Sequence, residues 1–154
     1  MAGGGCSLAR CGEGAHARRR LRSGRAIHFD TICERGVNAC PPLLVGVGIA
    51  GSVEVAATLV ETRAHCGPVG SHNSNARAAE FERMVEEGLN KINIGPGGLT
   101  GELSVMGVNV EQAARHPSCL AVGVSVGCWG HRRAAIRLHA DMSYELLSHK
   151  GVEL

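Results

Sequence analysis

Residues 120–133 read LAVGVSVGCWGHRR, and this stretch indicates a strand that ends in chemically active side chains. Its first eight residues alternate between larger apolar side chains and small ones, the period of two that places one face of a strand on a core. The opposite face carries only Ala, Gly and Ser, so we expect another element of the chain to approach it closely. The sequence therefore predicts a buried strand with one close-packed face.

The same strand leads directly into a group of reactive and charged residues. Within six positions the chain places Cys128, Trp129, His131, Arg132 and Arg133. A thiol, an imidazole and two guanidinium groups at the end of a rigid strand are typical of a ligand site. A buried cysteine, a packed tryptophan and a solvated basic end explain these residues equally well when they are taken alone.

Composition limits the classes to which the chain can belong. Its 154 residues are 44% hydrophobic and 19% charged, which suits one globular domain. The net charge of +2 gives no general attraction for nucleic acid, and no apolar run reaches the roughly 20 residues of a membrane span. We therefore expect neither nucleic acid nor a membrane as a partner.

The cysteines indicate thiols rather than disulfides. There are seven of them, an odd number at irregular spacing, and the first 30 residues lack the apolar middle of a secretion signal. We therefore expect a cytoplasmic protein in a reducing compartment. No CxxC pair is present, which disfavours a zinc ribbon. Thiolates in such a compartment remain suited to soft metals, including iron–sulfur clusters.

Residues 29–154 predict a single α/β domain of mixed sheet with flanking helices, with α+β as the alternative. Residues 43–47 suit a buried strand, and residues 46–51 match GxGxxG before a helix that begins near Ser52. The acid expected about 20 residues further on in a dinucleotide site is missing. Close helix–strand packing is therefore the better explanation of these glycines.

Further elements are predicted along the rest of the chain. Asn75 suits the cap of a helix with Phe81, Met84, Val85, Leu89 and Ile92 inward. Residues 103–108 and 133–139 suit strands, and residues 110–115 suit a short helix. Asp141 is expected to open a last short helix.

Residues 1–28 differ in character from the rest. The start, MAGGGCS, suits a loop whose backbone N–H groups, at Gly4 and Gly5 among others, approach an anion. Residues 8–28 contain six Arg and a single acid with almost no apolar periodicity. We expect this basic segment to be poorly ordered.

Four segments of the chain resemble the iron–sulfur hydro-lyases that include class I fumarase and the α subunit of L(+)-tartrate dehydratase. They are NACPPLLVGVGIAGSVE, IGPGGLTGELSVMGV, ARHPS and AVGVSVGCWGHRR. The resemblance covers about residues 29–154, and MAGGGCS also fits. It implies an α/β-like fold and an assembly of α and β subunits, for which we expect a heterotetramer.

The resemblance also implies a 4Fe-4S cluster held by three cysteines, with one iron left open to bind substrate. Cys40, in NACPP, and Cys128, in VGCWGHRR, match two of the ligands, and His116, in ARHPS, matches the active-site histidine. We expect these three side chains to converge on one cavity, with Gly4 and Gly5 beside it. Arg132 and Arg133 are our own candidates for holding a dicarboxylate substrate.

Two departures from the family pattern qualify this prediction. The third cluster cysteine belongs to a CQDTG-type motif that this sequence lacks, and residues 8–28 do not follow the family. We therefore expect this chain to be the C-terminal part of a catalytic α domain that dehydrates L-tartrate to oxaloacetate. As a separate chain we expect it to show no measurable turnover. The alternatives are an α subunit that interconverts fumarate and malate, and a non-catalytic remnant or subunit-interaction module.

Overall fold

The structure is a computed structural model that describes residues 11–16, 30–62 and 67–148. In chain order its elements are β1 (Cys11–His16), α1 (residues 30–35), β2 (Leu43–Ala50), α2 (Val53–Thr62), α3 (Ala76–Asn90), β3 (Val105–Gln112), β4 (Cys119–Gly127), β5 (Ile136–Leu138) and β6 (Tyr144–Leu146). The predicted α/β class, a mixed sheet with flanking helices, is confirmed.

The main sheet has the order β1-β4-β2-β3, in which β2 and β3 are parallel and the other pairs are antiparallel. This pairing gives the sheet two ends with different loops, named here after the cysteines and the histidine that they carry. The cysteine end consists of residues 40–42 before β2, residues 95–104 before β3 and residues 128–133 after β4. The histidine end consists of residues 51–52 after β2 and residues 113–118 between β3 and β4. Every loop at one end is separated from the other end by the full length of a strand.

The two faces of the central strands pack differently. One face joins α1 and α3 in the main core, which contains Ile32, Leu43, Val45, Val47, Val85, Leu89, Val122, Val124 and Val126. The other face lies against α2, where a Cβ on Gly123 would be 3.2 Å from the Ala56 carbonyl carbon. The predicted close approach to the small-residue face of residues 120–127 is therefore confirmed. Gly48 fills the same role on β2, because a Cβ there would overlap the carbonyl oxygen of Ala56.

Asn75 caps α3 as predicted, since its side-chain oxygen accepts hydrogen bonds from the N–H groups of Arg77 and Ala78. The predicted inward face of this helix is wrong at one position. Met84 is 44% exposed, whereas Glu82 is 1% exposed. The buried position carries a carboxylate because the backbone N–H groups of Asn73 and Val110 donate hydrogen bonds to it.

Two predicted helices are strands in the structure. Residues 110–112 continue β3 because β2 provides a parallel partner as far as the pair Ile49 and Gln112. The last predicted helix is replaced by β6 and the turn before it, where Asp141 accepts hydrogen bonds from the N–H and hydroxyl of Ser143. Its partner β5 lies within the strand predicted over residues 133–139. The hydrogen bonds from Ser143 close a turn and lower the pKa of Asp141. The Glu54 pKa is also lowered, by its own backbone N–H and then by Ser52.

The basic segment contributes one element that the sequence did not predict. Cys11–His16 forms β1 at the edge of the sheet, antiparallel to β4. The rest of residues 8–28 and the predicted loop at Gly4 and Gly5 lie outside the described residues. Across the part of the chain that is described, no helix is long and apolar enough to cross a bilayer.

Candidate metal and substrate site

Cys40 and Cys128 lie together at the cysteine end of the sheet. β2 and β4 are antiparallel and pair Leu44 with Gly127, so the segment before β2 lies at the same end of the sheet as the segment after β4. The contact is direct, because the N–H of Trp129 donates a hydrogen bond to the carbonyl oxygen of Cys40 at 3.2 Å. Cys40 is exposed and Cys128 is partly exposed, and both are free thiols. The structure thus brings Cys40 next to the residue that follows Cys128, although the two cysteines are 88 positions apart (128 − 40).

The backbone of Cys40 has an unusual conformation. Its φ of 55° and ψ of 73° place it in the left-handed region. For a residue with a Cβ this conformation costs roughly 1–2 kcal/mol, so it persists where the surroundings enforce it. On one side Cys40 accepts the Trp129 hydrogen bond, and on the other Pro41 accepts one from the N–H of Gly97 at 3.0 Å. The backbone at Cys40 is therefore held by both neighbouring loops.

A glycine-rich loop, residues 95–98, forms the wall beside Cys40. Gly95 has φ 69°, and a Cβ on it would overlap the backbone of Thr100. The hydroxyl of the fully buried Ser104 accepts hydrogen bonds from the N–H groups of Ile94, at 2.9 Å, and Gly95, at 3.2 Å. Two buried donors are satisfied in this way, which holds the loop against the start of β2.

The residues after Cys128 form a tight turn that carries a cation. The Arg132 guanidinium carbon lies 3.4 Å from the centre of the Trp129 ring, and its NH1 donates to the Trp129 carbonyl at 3.0 Å. The His131 ring packs against Gly127, and its Nδ1 lies 3.1 Å from the Cys128 carbonyl oxygen. Because a carbonyl only accepts, that Nδ1 is the donor. Arg133 is exposed beside this turn.

The chemistry of the two cysteines suits a soft metal or an iron–sulfur cluster. Thiolates are the ligands that such clusters use, and both thiols are accessible from the same end of the sheet. Among the described residues, no group of three or more His, Cys, Asp or Glu side chains is placed to hold a metal. The described chain thus fits as the source of two ligands, Cys40 and Cys128.

His116 lies at the opposite, histidine end of the sheet. It sits between β3 and β4, and the nine residues of β4 separate that loop from Cys128 by roughly 25–30 Å. The expectation that Cys40, Cys128 and His116 share one cavity is therefore wrong within a single chain. The reason is topological, since the β3–β4 connection must lie where β4 begins. Beside His116 is an open cleft of about 590 Å³ lined by Gln112, Ala113, Ala114, Arg115 and Pro117.

The His116 loop is held by its own hydrogen bonds. Ser118 contacts Nδ1 of His116 twice, with its hydroxyl oxygen at 2.6 Å and with its backbone N–H, which donates at 3.2 Å. NH1 of Arg115 donates to the Cys119 carbonyl at 3.1 Å and spans the turn. His116 and Arg115 are both exposed, so this loop presents an imidazole and a guanidinium to solvent.

Sequence reasoning missed one buried charged group, Glu82. Its two carboxylate oxygens accept hydrogen bonds from the N–H groups of Asn73 and Val110, each at 2.8 Å, and Nδ1 of His72 lies 3.5 Å away. The signal was the polar loop GSHNSN before α3, whose backbone donors need an acceptor from the helix. Glu82 ties this loop and β3 to α3, so its role is structural.

The model of the fumarate hydratase (Fumerase) family matches residues 1–137 of this chain. The chain belongs to the fumarate hydratase (Fumerase) family. The matched range includes residues 8–28, which we expected to depart from the family pattern. It also includes Cys40, His116 and Cys128, whereas most of the β5–β6 hairpin lies beyond it.

Within the Fumerase family the chain is similar to proteins named L(+)-tartrate dehydratase subunit alpha. It is 52% identical over 149 residues to those of Escherichia coli strain K12 and Shigella sonnei strain Ss046. The protein of Escherichia coli strain UTI89 is matched to the same extent. Each match covers 97% of this chain and 49% of the relative. The chain therefore spans about half the length of the curated relatives it matches.

Proposed function

We propose that this chain forms part of the α subunit of an iron–sulfur hydro-lyase that dehydrates L-tartrate to oxaloacetate. The observation that carries the proposal is the backbone hydrogen bond from Trp129, the residue after Cys128, to Cys40, which supports these two cysteines as ligands of one cluster. The 52% identity to proteins named L(+)-tartrate dehydratase subunit alpha supports tartrate as the substrate. Interconversion of fumarate and malate is the second candidate, because the family is described as fumarate hydratase.

Cys40 and Cys128 would supply two thiolate ligands to a 4Fe-4S cluster at the cysteine end. When bound, such a cluster provides an open iron that acts as a Lewis acid on the hydroxyl group leaving as water. The chain's own contribution is to fix the two sulfurs, Cys40 through its enforced backbone and Cys128 through the rigid end of β4. A third ligand is expected from outside the described residues.

The arginines after Cys128 suit recognition of the substrate carboxylates. Arg132 is held over Trp129 within one turn of Cys128, so its guanidinium is ordered before substrate arrives. Arg133 adds a second exposed guanidinium at the same turn. Gly4 and Gly5 remain our proposal for backbone donors to the same dicarboxylate.

His116 remains a proposed catalytic residue, with a condition that the fold imposes. Because it lies a full strand length from Cys128, it reaches a cluster on another copy of the chain rather than on its own. Mixing inactive His116→Ala and Cys128→Ala assemblies tests this directly. Activity is expected to return on subunit exchange, since a mixed pair contains one site with both residues intact. A mixture that stays inactive after exchange would refute a role for His116 across two copies.

The partner implied by the α-subunit name of the relatives is a β subunit, which we propose as the binding partner here. We place the protein in the cytoplasm, because the free thiols at positions 33, 40, 119 and 128 suit a reducing compartment.

The proposal is tested by anaerobic reconstitution with iron and sulfide, followed by an assay of oxaloacetate release from L-tartrate. We expect the 154-residue chain alone to be inactive. An α subunit of the relatives' length that contains these residues, combined with its β subunit, is expected to turn over tartrate and to lose activity in air. Cys128→Ala should abolish turnover, whereas Cys33→Ala, a change at an exposed thiol on α1, should not. Turnover of malate but not tartrate would favour the second candidate, and turnover of neither would indicate a non-catalytic module.

A further inference from the structure

The hydrogen bonds of Ser118 determine which nitrogen of His116 carries hydrogen. A neutral imidazole has one donor nitrogen and one acceptor nitrogen. The backbone N–H of Ser118 can only donate, and it points at Nδ1 of His116 from 3.2 Å. This contact favours Nδ1 as the acceptor, which places the hydrogen of the neutral ring on Nε2.

The Ser118 hydroxyl reinforces this arrangement. Its oxygen lies 2.6 Å from the same Nδ1, and with Nδ1 unprotonated the hydroxyl is the donor. The Cys119 sulfur lies 3.8 Å from the Ser118 oxygen, which leaves the thiol to donate to the free lone pair of that oxygen. The donors thus run in one direction, from Cys119 to Ser118 to His116. Both contacts of Ser118 favour the same tautomer.

We propose that Ser118 is a positioning residue that makes His116 a hydrogen-bond donor, through Nε2–H, to a carboxylate of the substrate. This inference rests on the proposed function and defines the role of its histidine. A general base would need an unprotonated Nε2, which is the tautomer that Ser118 disfavours. His116 is exposed, with Nδ1 occupied and Nε2–H free to meet a carboxylate oxygen.

Long-range ¹H–¹⁵N NMR of the chain labelled at histidine tests the tautomer without any need for turnover. The His116 signals are identified by their loss in His116→Gln, and spectra are recorded at alkaline pH, where the ring is neutral. We expect Nδ1 to have the shift of an unprotonated, hydrogen-bonded nitrogen. Ser118→Ala removes the hydroxyl donor and keeps the backbone N–H, so the Nε2–H population should fall in part, and Ser118→Thr should restore it. Ser71→Ala, which removes a 2.6 Å hydroxyl bond to Pro68 on another exposed loop, should leave His116 unchanged.

Either of two NMR results would overturn the proposal. One is a wild-type His116 that carries its hydrogen on Nδ1. The other is a Ser118→Ala spectrum identical to that of the wild type, which would leave the hydroxyl without a role.

The assembled enzyme gives the second, independent readout. With one substrate hydrogen bond weakened, Ser118→Ala is expected to raise KM by about three- to tenfold while kcat stays near the wild-type value. A fall in kcat at unchanged KM would contradict the donor role. If no variant turns over either dicarboxylate, the proposed function fails, while the NMR result still decides the tautomer.

Discussion

Replacing Gly48 by alanine tests the close packing of β2 against α2. The added Cβ would overlap the carbonyl oxygen of Ala56 and lie 3.0 Å from its carbonyl carbon and 2.9 Å from Cγ2 of Val60. Two of these three atoms belong to the helix backbone, which cannot turn aside as a side chain can. Relief therefore requires α2 as a whole to move away from the sheet. Gly51→Ala is the matched control in the same GxGxxG stretch, since its nearest contact would be the Arg115 Cβ at 3.5 Å.

Overpacking of a core costs about 1–3 kcal/mol, and a backbone obstacle puts Gly48→Ala at the upper limit of that range or beyond it. For a domain of this size each kcal/mol lowers Tm by roughly 2–4 °C, so we expect a fall of about 6–12 °C. Gly51→Ala should stay within about 0.5 kcal/mol of the wild type, a change of less than about 2 °C. Thermal unfolding followed by circular dichroism measures both. Equal Tm values for Gly48→Ala and the wild type would refute the close approach of helix and strand.

Three further predictions concern buried and turn hydrogen bonds. In Glu82→Gln one of the two accepting oxygens becomes an NH2 group, which cannot accept from the backbone N–H that faces it. The free energy of unfolding should fall by about 1–3 kcal/mol, and the exposed Glu87→Gln should leave it unchanged; equal urea midpoints for Glu82→Gln and the wild type would contradict this. Ser104→Ala leaves the N–H groups of residues 94–95 without their acceptor, so hydrogen exchange at these two amides should accelerate. Unchanged protection of these amides would show that the Ser104 hydroxyl does not hold the loop. Because the Asp141 pKa is lowered, the turn contacts persist at neutral pH and are lost as pH falls through that lowered value. NMR titration should show this pKa returning toward the ordinary range in Ser143→Ala, and an unmoved pKa would exclude Ser143 as its cause.

Local patterns in the sequence correctly predicted those elements that can be recognised without knowing which other strand or helix they pack against. The alternation in residues 120–127 identified both the buried strand and its close-packed face, and Asn75 identified the start of α3. Residues 110–112 were misassigned because so short a segment, VEQ, fits a helix or a strand equally well until β2 supplies its partner. The strand predicted over residues 133–139 contains β5, whereas β6 was taken for a helix, since Asp141 suits either a helix cap or a turn.

In the candidate site, too, the sequence predicted residue types but not the positions that depend on strand pairing. The resemblance predicted a shared site for Cys40 and Cys128, yet nothing local in the sequence relates two positions that are 88 residues apart. The hydrogen bond between Cys40 and Trp129, the residue after Cys128, depends on the antiparallel pairing of β2 with β4. That pairing also moves His116 to the far end of the sheet, and no motif could reveal this, because the motif gives a residue type and not the direction of a strand. Glu82 was hidden by its charge, which is unfavourable in a core until two backbone donors and His72 surround it.

The central claim is that Cys40 and Cys128 are ligands of one metal centre, and anaerobic titration of the reduced chain with Co²⁺ tests it most directly. Thiolate ligation gives bound Co²⁺ a sulfur-to-metal charge-transfer absorption, and two neighbouring thiolates form a soft site for it. We predict this absorption in the wild type, its loss in Cys40→Ser and in Cys128→Ser, and its retention in Cys33→Ser and Cys119→Ser. A wild-type chain without the absorption, or an undiminished absorption in either of the first two variants, would contradict the claim.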